Sequence, residues 1–234
     1  MKALIFDCDG VLADTERDGH RVAFNRAFAQ IGLAVQWDED LYGKLLQIAG
    51  GKERMRYYFD CHGWPENEKD RNALILKLHQ LKTWHFMEIL ESGQIPARSG
   101  VARLVDEAVV AGIFLAVCST SNEKAVNLLM EKLLGQKRHK AFAAVLAGDV
   151  VNKKKPDPEI YQLAAEKLKV RPADCVVVED SRNGLLAARA AGMKCVITMN
   201  GYTEKEDFSG ADLVVAELGE PPHVNVSIET LQRM

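Results

Sequence analysis

A doubly wound parallel α/β sheet with one helical insertion is the fold this sequence predicts, and three observations lead to it. Short apolar runs alternate with helical patterns at the start of the chain and again from about residue 99 to its end. The runs are apolar throughout instead of alternating with polar residues, which marks strands covered on both faces. The stretch between, residues 15–93, carries helical patterns with no strand signal of similar quality. Strands that alternate with helices build parallel βαβ units.

Taken in order, Ala3–Phe6 reads as the first strand, stopped by Asp7-Cys8-Asp9-Gly10. In the insertion Val22, Phe24, Phe28 and Ile31 mark one helix, while Leu74–Leu81 and Trp84–Leu90 mark others. Ser99–Gly112 places Val101, Leu104, Val105, Ala108 and Val109 on one helical face, and Gly112 suits its end. Ile113–Cys118 is the second strand, followed by the polar cluster Ser119–Asn122 and a helix carrying Val126, Leu129, Met130 and Leu133. Phe142–Leu146 is the third. Asp157 then caps a helix with Pro158 at its first position, where a missing N–H costs nothing. The apolar face of that helix is Ile160, Tyr161, Ala164 and Leu168. Val176–Val178 is a buried strand ended by Glu179-Asp180-Ser181, the helix Asn183–Ala191 stops at Gly192, and Cys195–Thr198 and Leu213–Val215 complete the set. The expectation is a Rossmann-like core of residues 1–14 and 94–234, with a helical-bundle cap of residues 15–93 inserted after the first strand.

Composition narrows the function. With 234 residues, 47% hydrophobic and 27% charged, the chain has the make-up of a folded globular protein. A net charge of -3 leaves no footprint for a polyanion, so neither nucleic acid nor an anionic membrane is expected as a partner. The longest apolar run, Ala108–Cys118, falls short of the ~18–20 residues of a membrane span. The cysteines (Cys8, Cys61, Cys118, Cys175 and Cys195) show no C-x-x-C spacing, so neither a zinc site nor a disulfide framework is expected. A reducing compartment follows. No leader pattern precedes the first strand, so a targeting segment is either absent or already removed.

The polar residues that can carry chemistry follow the strands. Ligands of open α/β sheets gather at the carboxyl ends of the strands, and that is where Asp7, Asp9, Ser119 and Glu179-Asp180 fall, with Lys155 in a loop ahead of a helix. Each has a plainer reading alone: a turn pair for Asp7 and Asp9, a helix cap for Ser119, a helix-start acid pair for Glu179 and Asp180. Lys153 and Lys154 read as a solvated face, and Lys155 is singled out because it precedes the proline. Together they make four carboxylates, a hydroxyl and an ammonium. Carboxylates so crowded need a counter-charge, and an all-oxygen site near phosphate points to Mg²⁺. One carboxylate can then attack phosphorus, an acid two residues on can protonate the leaving oxygen, and the serine and lysine can hold the non-bridging oxygens. Gly10 lets the chain turn so that both acids face one cavity.

Asp7-Cys8-Asp9-Gly10-Val11-Leu12, Ser119, Lys155-Pro156 and Glu179-Asp180-Ser181 resemble the four motifs of haloacid-dehalogenase superfamily phosphohydrolases, in order and over nearly the whole chain. The resemblance implies Asp7 as nucleophile and Asp9 as acid/base. It implies Mg²⁺ held by Asp7, the backbone carbonyl of Asp9 and Asp180, with Glu179 at or beside the metal. Ser119 and Lys155 would bind the transferring phosphoryl group.

A narrower likeness lies in the insertion and after the second strand. Glu16, Gly50-Gly51-Lys52-Glu53-Arg54, the stretch containing His79 and Lys82, and Ser119-Thr120-Ser121-Asn122 resemble CbbY-type xylulose-1,5-bisphosphate phosphatases of the plant and algal chloroplast kind. These residues are the expected substrate contacts. A bisphosphate needs a second anion site, and Gly-Gly followed by Lys and Arg offers backbone N–H groups and two cations. The plainer readings remain an inter-helix turn with surface charges for residues 50–54, and a turn-ordering role for Glu16. The implied activity is removal of a phosphate from xylulose 1,5-bisphosphate, a Rubisco inhibitor, to give xylulose 5-phosphate. It would run in a monomer in the chloroplast stroma, or in the cytoplasm of a bacterium. A β-phosphoglucomutase-like mutase, a phosphatase for another small sugar phosphate, and a phospho-acceptor signalling module are the alternatives.

Overall fold

β1 (Ala3–Phe6) is buried along its whole length, with Ala3, Leu4, Ile5 and Phe6 all at 0% exposure in the computed structural model. The structure describes residues 1–48, 50–65 and 70–234. With β2 (Phe114–Ser119), β3 (Phe142–Ala147), β4 (Cys175–Glu179), β5 (Lys194–Thr198) and β6 (Leu213–Val215), β1 forms a six-stranded parallel sheet in the order β3-β2-β1-β4-β5-β6. Ile5 lies opposite Ala116 on one side and Val177 on the other. The order reverses between β1 and β4, and in such sheets that switch point is where a crevice opens at the carboxyl ends. Asp7 follows β1 at that edge, Ser119 ends β2 and Glu179 ends β4.

The chain divides into two compact units, residues 1–14 with 96–234, and residues 15–95. The second unit is helical. A π-helical turn, Glu16–His20, runs into α1 (Arg21–Gln30), followed by α2 (Glu39–Leu45), α3 (Gly51–His62) and α4 (Arg71–Glu91). The side chains of Asp38 and Asp70 accept backbone N–H groups at the starts of α2 and α4. α1 buries Ala23, Phe24, Ala27 and Phe28. Phe24 and Phe28 pack on the fully buried Trp37, with ring centroids at 4.8 and 5.0 Å. Asn25 grips the Trp37 backbone from both sides, donating to its carbonyl at 2.8 Å and accepting its N–H at 2.7 Å. Two expectations change here. Leu74–Leu81 and Trp84–Leu90 belong to the single 21-residue α4, because residues 71–91 contain neither Gly nor Pro to stop it. Ile31 lies just past the end of α1.

In the first unit α5 (Val101–Val110), α6 (Glu123–His139), α7 (Glu159–Leu168), α8 (Arg182–Ala190) and α9 (Ile228–Arg233) accompany the sheet. α5 buries Val101, Leu104, Val105 and Ala108, whereas Val109 falls at the margin of the stripe and is half exposed. In α6 the buried position is Leu134 instead of Leu133, because Leu134 stands one turn beyond Met130 and two beyond Val126 on the buried face, just before Gly135 leaves helical geometry (φ 75°). The Asp157 carboxylate accepts the Glu159 N–H at 3.1 Å, so α7 starts at Glu159 with Pro158 still half outside, one residue later than the sequence pattern places it. Cys8, Cys118, Cys175 and Cys195 are buried free thiols, and Cys61 is an exposed one. No described helix is long and apolar enough to cross a membrane.

Candidate active site

At the end of β1 the Asp7 N–H continues the ladder to Val178, after which the chain folds back so that Gly10 N–H reaches the Ala13 carbonyl at 2.8 Å. Gly10 adopts φ 84°, and a β-carbon there would lie 2.1 Å from Asp180 Oδ2. Only glycine satisfies both demands. The turn leaves Asp9 facing the β2 end, where its Oδ2 accepts from Ser121 Oγ at 2.5 Å and from Ser119 Oγ at 3.4 Å. Ser119 Oγ also accepts the Ser121 N–H at 3.0 Å.

Lys155 joins the strands. Its ammonium donates to Asp7 Oδ1 at 2.5 Å, to Glu179 Oε1 at 2.6 Å and to the Cys118 carbonyl at 3.1 Å. It also sits 4.9 Å from the centroid of the Tyr161 ring, whose hydroxyl donates to Glu179 Oε1 at 2.5 Å. Glu179 Oε2 takes the Asp180 N–H at 3.1 Å and the Ser181 hydroxyl at 3.3 Å. Both Glu179 oxygens are therefore engaged, and this carboxylate serves to hold Lys155 in place. Asp180 is oriented differently, through Asn200 Nδ2 at 2.7 Å from its Oδ2.

Asp7, Glu179 and Asp180 bring carboxylate oxygens within 4.8 Å of one another. Three carboxylates against the one ammonium of Lys155 leave a formal excess of two negative charges. That excess raises the acids' affinity for protons. Burial pushes Asp7 up to about 8, against the pull of Lys155 and helped by Glu179 and Asp9. Burial, Glu179 and Asp7 push Asp180 well above the usual carboxylate range. Burial opposes the charge on Lys155, yet Asp7 and Glu179 hold it above the ordinary lysine value. A hard divalent cation fits this donor set in charge and in chemistry. Asp7 Oδ2 and Asp180 Oδ1 accept no hydrogen bond among the described residues, so each has lone pairs to offer such a cation.

Gly184 shows how tightly the site is built. A β-carbon at this position of α8 would lie 1.9 Å from the Glu179 carboxyl carbon. Gly184→Ala should displace Glu179 and Lys155 with it. The expected result is a stability loss of about 1–3 kcal/mol from overpacking, together with at least a tenfold fall in kcat, on the order expected when a group supporting a metal or phosphate site is disturbed. Denaturant melts and steady-state kinetics on one preparation check both; unchanged kcat would contradict the geometry.

In the helical unit the structure forms two further clusters. The Tyr42 hydroxyl donates to Glu16 Oε2 at 2.5 Å and accepts from Arg54 Nη1 at 2.9 Å, while Arg54 Nε donates to the Leu45 carbonyl at 3.1 Å. Arg54 is thus buried and committed to this unit, a duty the basic loop pattern does not reveal. Lys52 and Glu53 are exposed on the first turn of α3, next to Gly50 at φ 92°. A β-carbon on Gly51 would stand 3.2 Å from Phe24 and 3.5 Å from His79. Lys82 Nζ lies 2.7 Å from His20 Nδ1 and about equally far from the Phe24 and Phe86 rings, at 5.1 and 5.0 Å. After β2, Thr120 is exposed and Asn122 caps α6 by accepting the Lys124 N–H at 3.0 Å. Lys153 and Lys154 pair with Asp157 and Asp149 at the surface.

Tyr161 and Asn200 are site residues the sequence reading passes over. Tyr161 is hidden inside an apolar helical face. Asn200 carries a usable signal, since it follows a strand end as the other polar groups do.

The family model for haloacid dehalogenase-like hydrolases matches residues 1–192. A CBBY-like protein of Arabidopsis thaliana is 56% identical over 224 residues, covering 94% of this chain and 70% of the relative. The crystal structure of CbbY from Rhodobacter sphaeroides in complex with phosphate superposes with a TM-score of 0.87 at 39% identity, covering 99% of each chain. A mutant of that protein in complex with xylulose-(1,5)bisphosphate superposes at 0.85 and 40% identity, over 94% of this chain and 96% of the other.

Proposed function

This chain belongs to the haloacid dehalogenase-like hydrolases and is a CbbY-like phosphatase, and from that premise we propose that it hydrolyses xylulose 1,5-bisphosphate to xylulose 5-phosphate with Mg²⁺ as cofactor. The observation that carries this reading is the meeting of Asp7, Lys155, Glu179 and Asp180 at the carboxyl ends of β1 and β4. Similarity to a protein crystallised with xylulose-(1,5)bisphosphate supports the choice of sugar. A monomer in the chloroplast stroma is part of the same reading, in keeping with the plant relative.

In this account an Asp7 oxygen attacks phosphorus, the bond from phosphorus to the sugar oxygen breaks, and Asp9 gives its proton to that oxygen. Asp9 then takes a proton from water as the water attacks phosphorus. Inorganic phosphate leaves and the Asp7 carboxylate is restored. Asp7, the Asp9 carbonyl and Asp180, beside Glu179, would hold the cation, which would supply the charge that keeps Asp7 ionised and offsets charge on the phosphoryl oxygens. Lys155 and Ser119 hold those oxygens, and Glu179 with Tyr161 keeps the lysine aimed. The signalling alternative leaves Asp9 without a task.

In this reading the second phosphate is taken by Gly50, Gly51 and Lys52, with Glu16, Glu53, His79 and Lys82 as the other substrate contacts of the helical unit and Thr120, Ser121 and Asn122 as those after β2; Arg54 supports the loop through Tyr42 and Leu45. Lys52 is the exposed cation of this set and the informative one to remove. Lys52→Ala should raise KM for the bisphosphate about tenfold or more, the worth of a charged hydrogen bond, and leave p-nitrophenyl phosphate turnover unchanged. Equal losses on both would remove Lys52 from substrate recognition. The function itself is tested by phosphate release from xylulose 1,5-bisphosphate with Mg²⁺. Sugar-phosphate isomerisation without phosphate release would make the protein a mutase instead.

A further inference from the structure

Arg98 lies outside every motif above, yet its side chain is only 12% exposed and its guanidinium is spent almost wholly on main-chain carbonyls. Nη1 donates to the carbonyls of Gly10 and Thr198, the latter at 3.0 Å. Nη2 donates to those of Met199 at 2.5 Å and Ala216 at 2.8 Å. Its own backbone N–H reaches the Leu12 carbonyl at 2.9 Å. Nε faces Asp14 Oδ1 at 3.6 Å, a buried oxygen with no hydrogen bond of its own. One residue therefore gathers the turn after β1, the end of β5 and the segment after β6.

These carbonyls flank the acids. Gly10 follows Asp9 and lies directly beneath Asp180 and Asn200, which a β-carbon would meet at 2.1 and 2.8 Å. Met199 precedes Asn200, the residue that orients Asp180. We propose that Arg98 is a positioning residue that sets the spacing between the Asp9–Gly10 turn and Asp180, and through that spacing the affinity for the divalent cation and the rate of phosphoryl transfer. Asp14, the last residue before the chain leaves this unit, is the carboxylate that faces Nε. A planar fork is needed because the acceptors lie on separate segments. The point charge of lysine, with three donors on one atom, does not span them.

The inference rests on the phosphatase reading, and Mg²⁺ binding gives it a readout of its own. Arg98→Gln and Arg98→Lys would be compared with wild type by calorimetric Mg²⁺ titration and by kcat and KM on p-nitrophenyl phosphate and on xylulose 1,5-bisphosphate. In both variants the Mg²⁺ dissociation constant should rise, and kcat on both substrates fall, by about 10–100-fold, as supporting groups around a metal typically do. KM for the bisphosphate should change far less. A variant that melts earlier but keeps Mg²⁺ affinity and kcat within about twofold, well below that range, would reduce Arg98 to a structural brace and overturn the proposal. If the glutamine variant does not fold, the lysine variant decides by the same thresholds. A wild-type protein that binds Mg²⁺ but releases no phosphate would sink the phosphatase reading, while the titration still judges Arg98.

Discussion

Asp7→Asn is expected to lower kcat by on the order of 10⁴-fold or more, as removal of a covalent nucleophile does. The amide has no anionic oxygen to offer phosphorus, and nothing else on β1 replaces it. Asp9 sits two residues on and is held toward Ser121 and Ser119. The loss should come without a loss of fold. Burial, helped by Glu179 and Asp9, pushes Asp7 up to about 8, so neutralising it removes a charge that the metal-free site disfavours. In Mg²⁺-free buffer the variant should unfold no earlier than wild type. Phosphate release and a denaturant melt on one preparation check both halves; residual turnover above about one hundredth of wild type would be inconsistent with a lost nucleophile.

Lys155→Met is expected to cost more in stability than any other single change at the site. Methionine keeps much of the apolar stem but none of the donors to Asp7, Glu179 and Cys118. Three buried carboxylates are then left without their cation. Removing one partner of a buried pair typically costs about 3–5 kcal/mol, because the other charge stays behind. Catalysis should fall by about 10²–10³-fold, the worth of a pre-aimed donor to a transition state. Mg²⁺ should restore part of the stability and little of the rate. A variant as stable as wild type without metal would mean that Lys155 does not balance these acids.

Much of the site is legible in the sequence for one physical reason. Parallel strands covered on both faces are written as unbroken apolar runs, so the polar residue that follows each run is conspicuous and lies at the same sheet edge as the others. Asp7, Ser119, Glu179 and Asp180 stand out in this way. Tyr161 and Arg98 do not. Tyr161 fits an apolar helical stripe, and its hydroxyl acquires a role only when β4 brings Glu179 beside it. Arg98 has no local pattern at all, because its acceptors come from segments about a hundred residues away. The helical unit was less readable for a different reason. A buried arginine such as Arg54 and an exposed lysine such as Lys52 look alike in a basic loop, and only packing against Tyr42 separates them. The undivided α4 carries the same lesson, since a pause in apolar periodicity is not a stop without Gly or Pro.

The central claim is that Asp7 carries the phosphoryl group between sugar and water. The most direct test is to quench Asp9→Asn in acid during incubation with xylulose 1,5-bisphosphate and Mg²⁺, then locate the modified peptide by mass spectrometry. Slowed hydrolysis of the intermediate should leave phosphate on Asp7, and none in the variant that also carries Asp7→Asn. Phosphate on a different residue, or product formed with no covalent adduct at any time, would contradict the account.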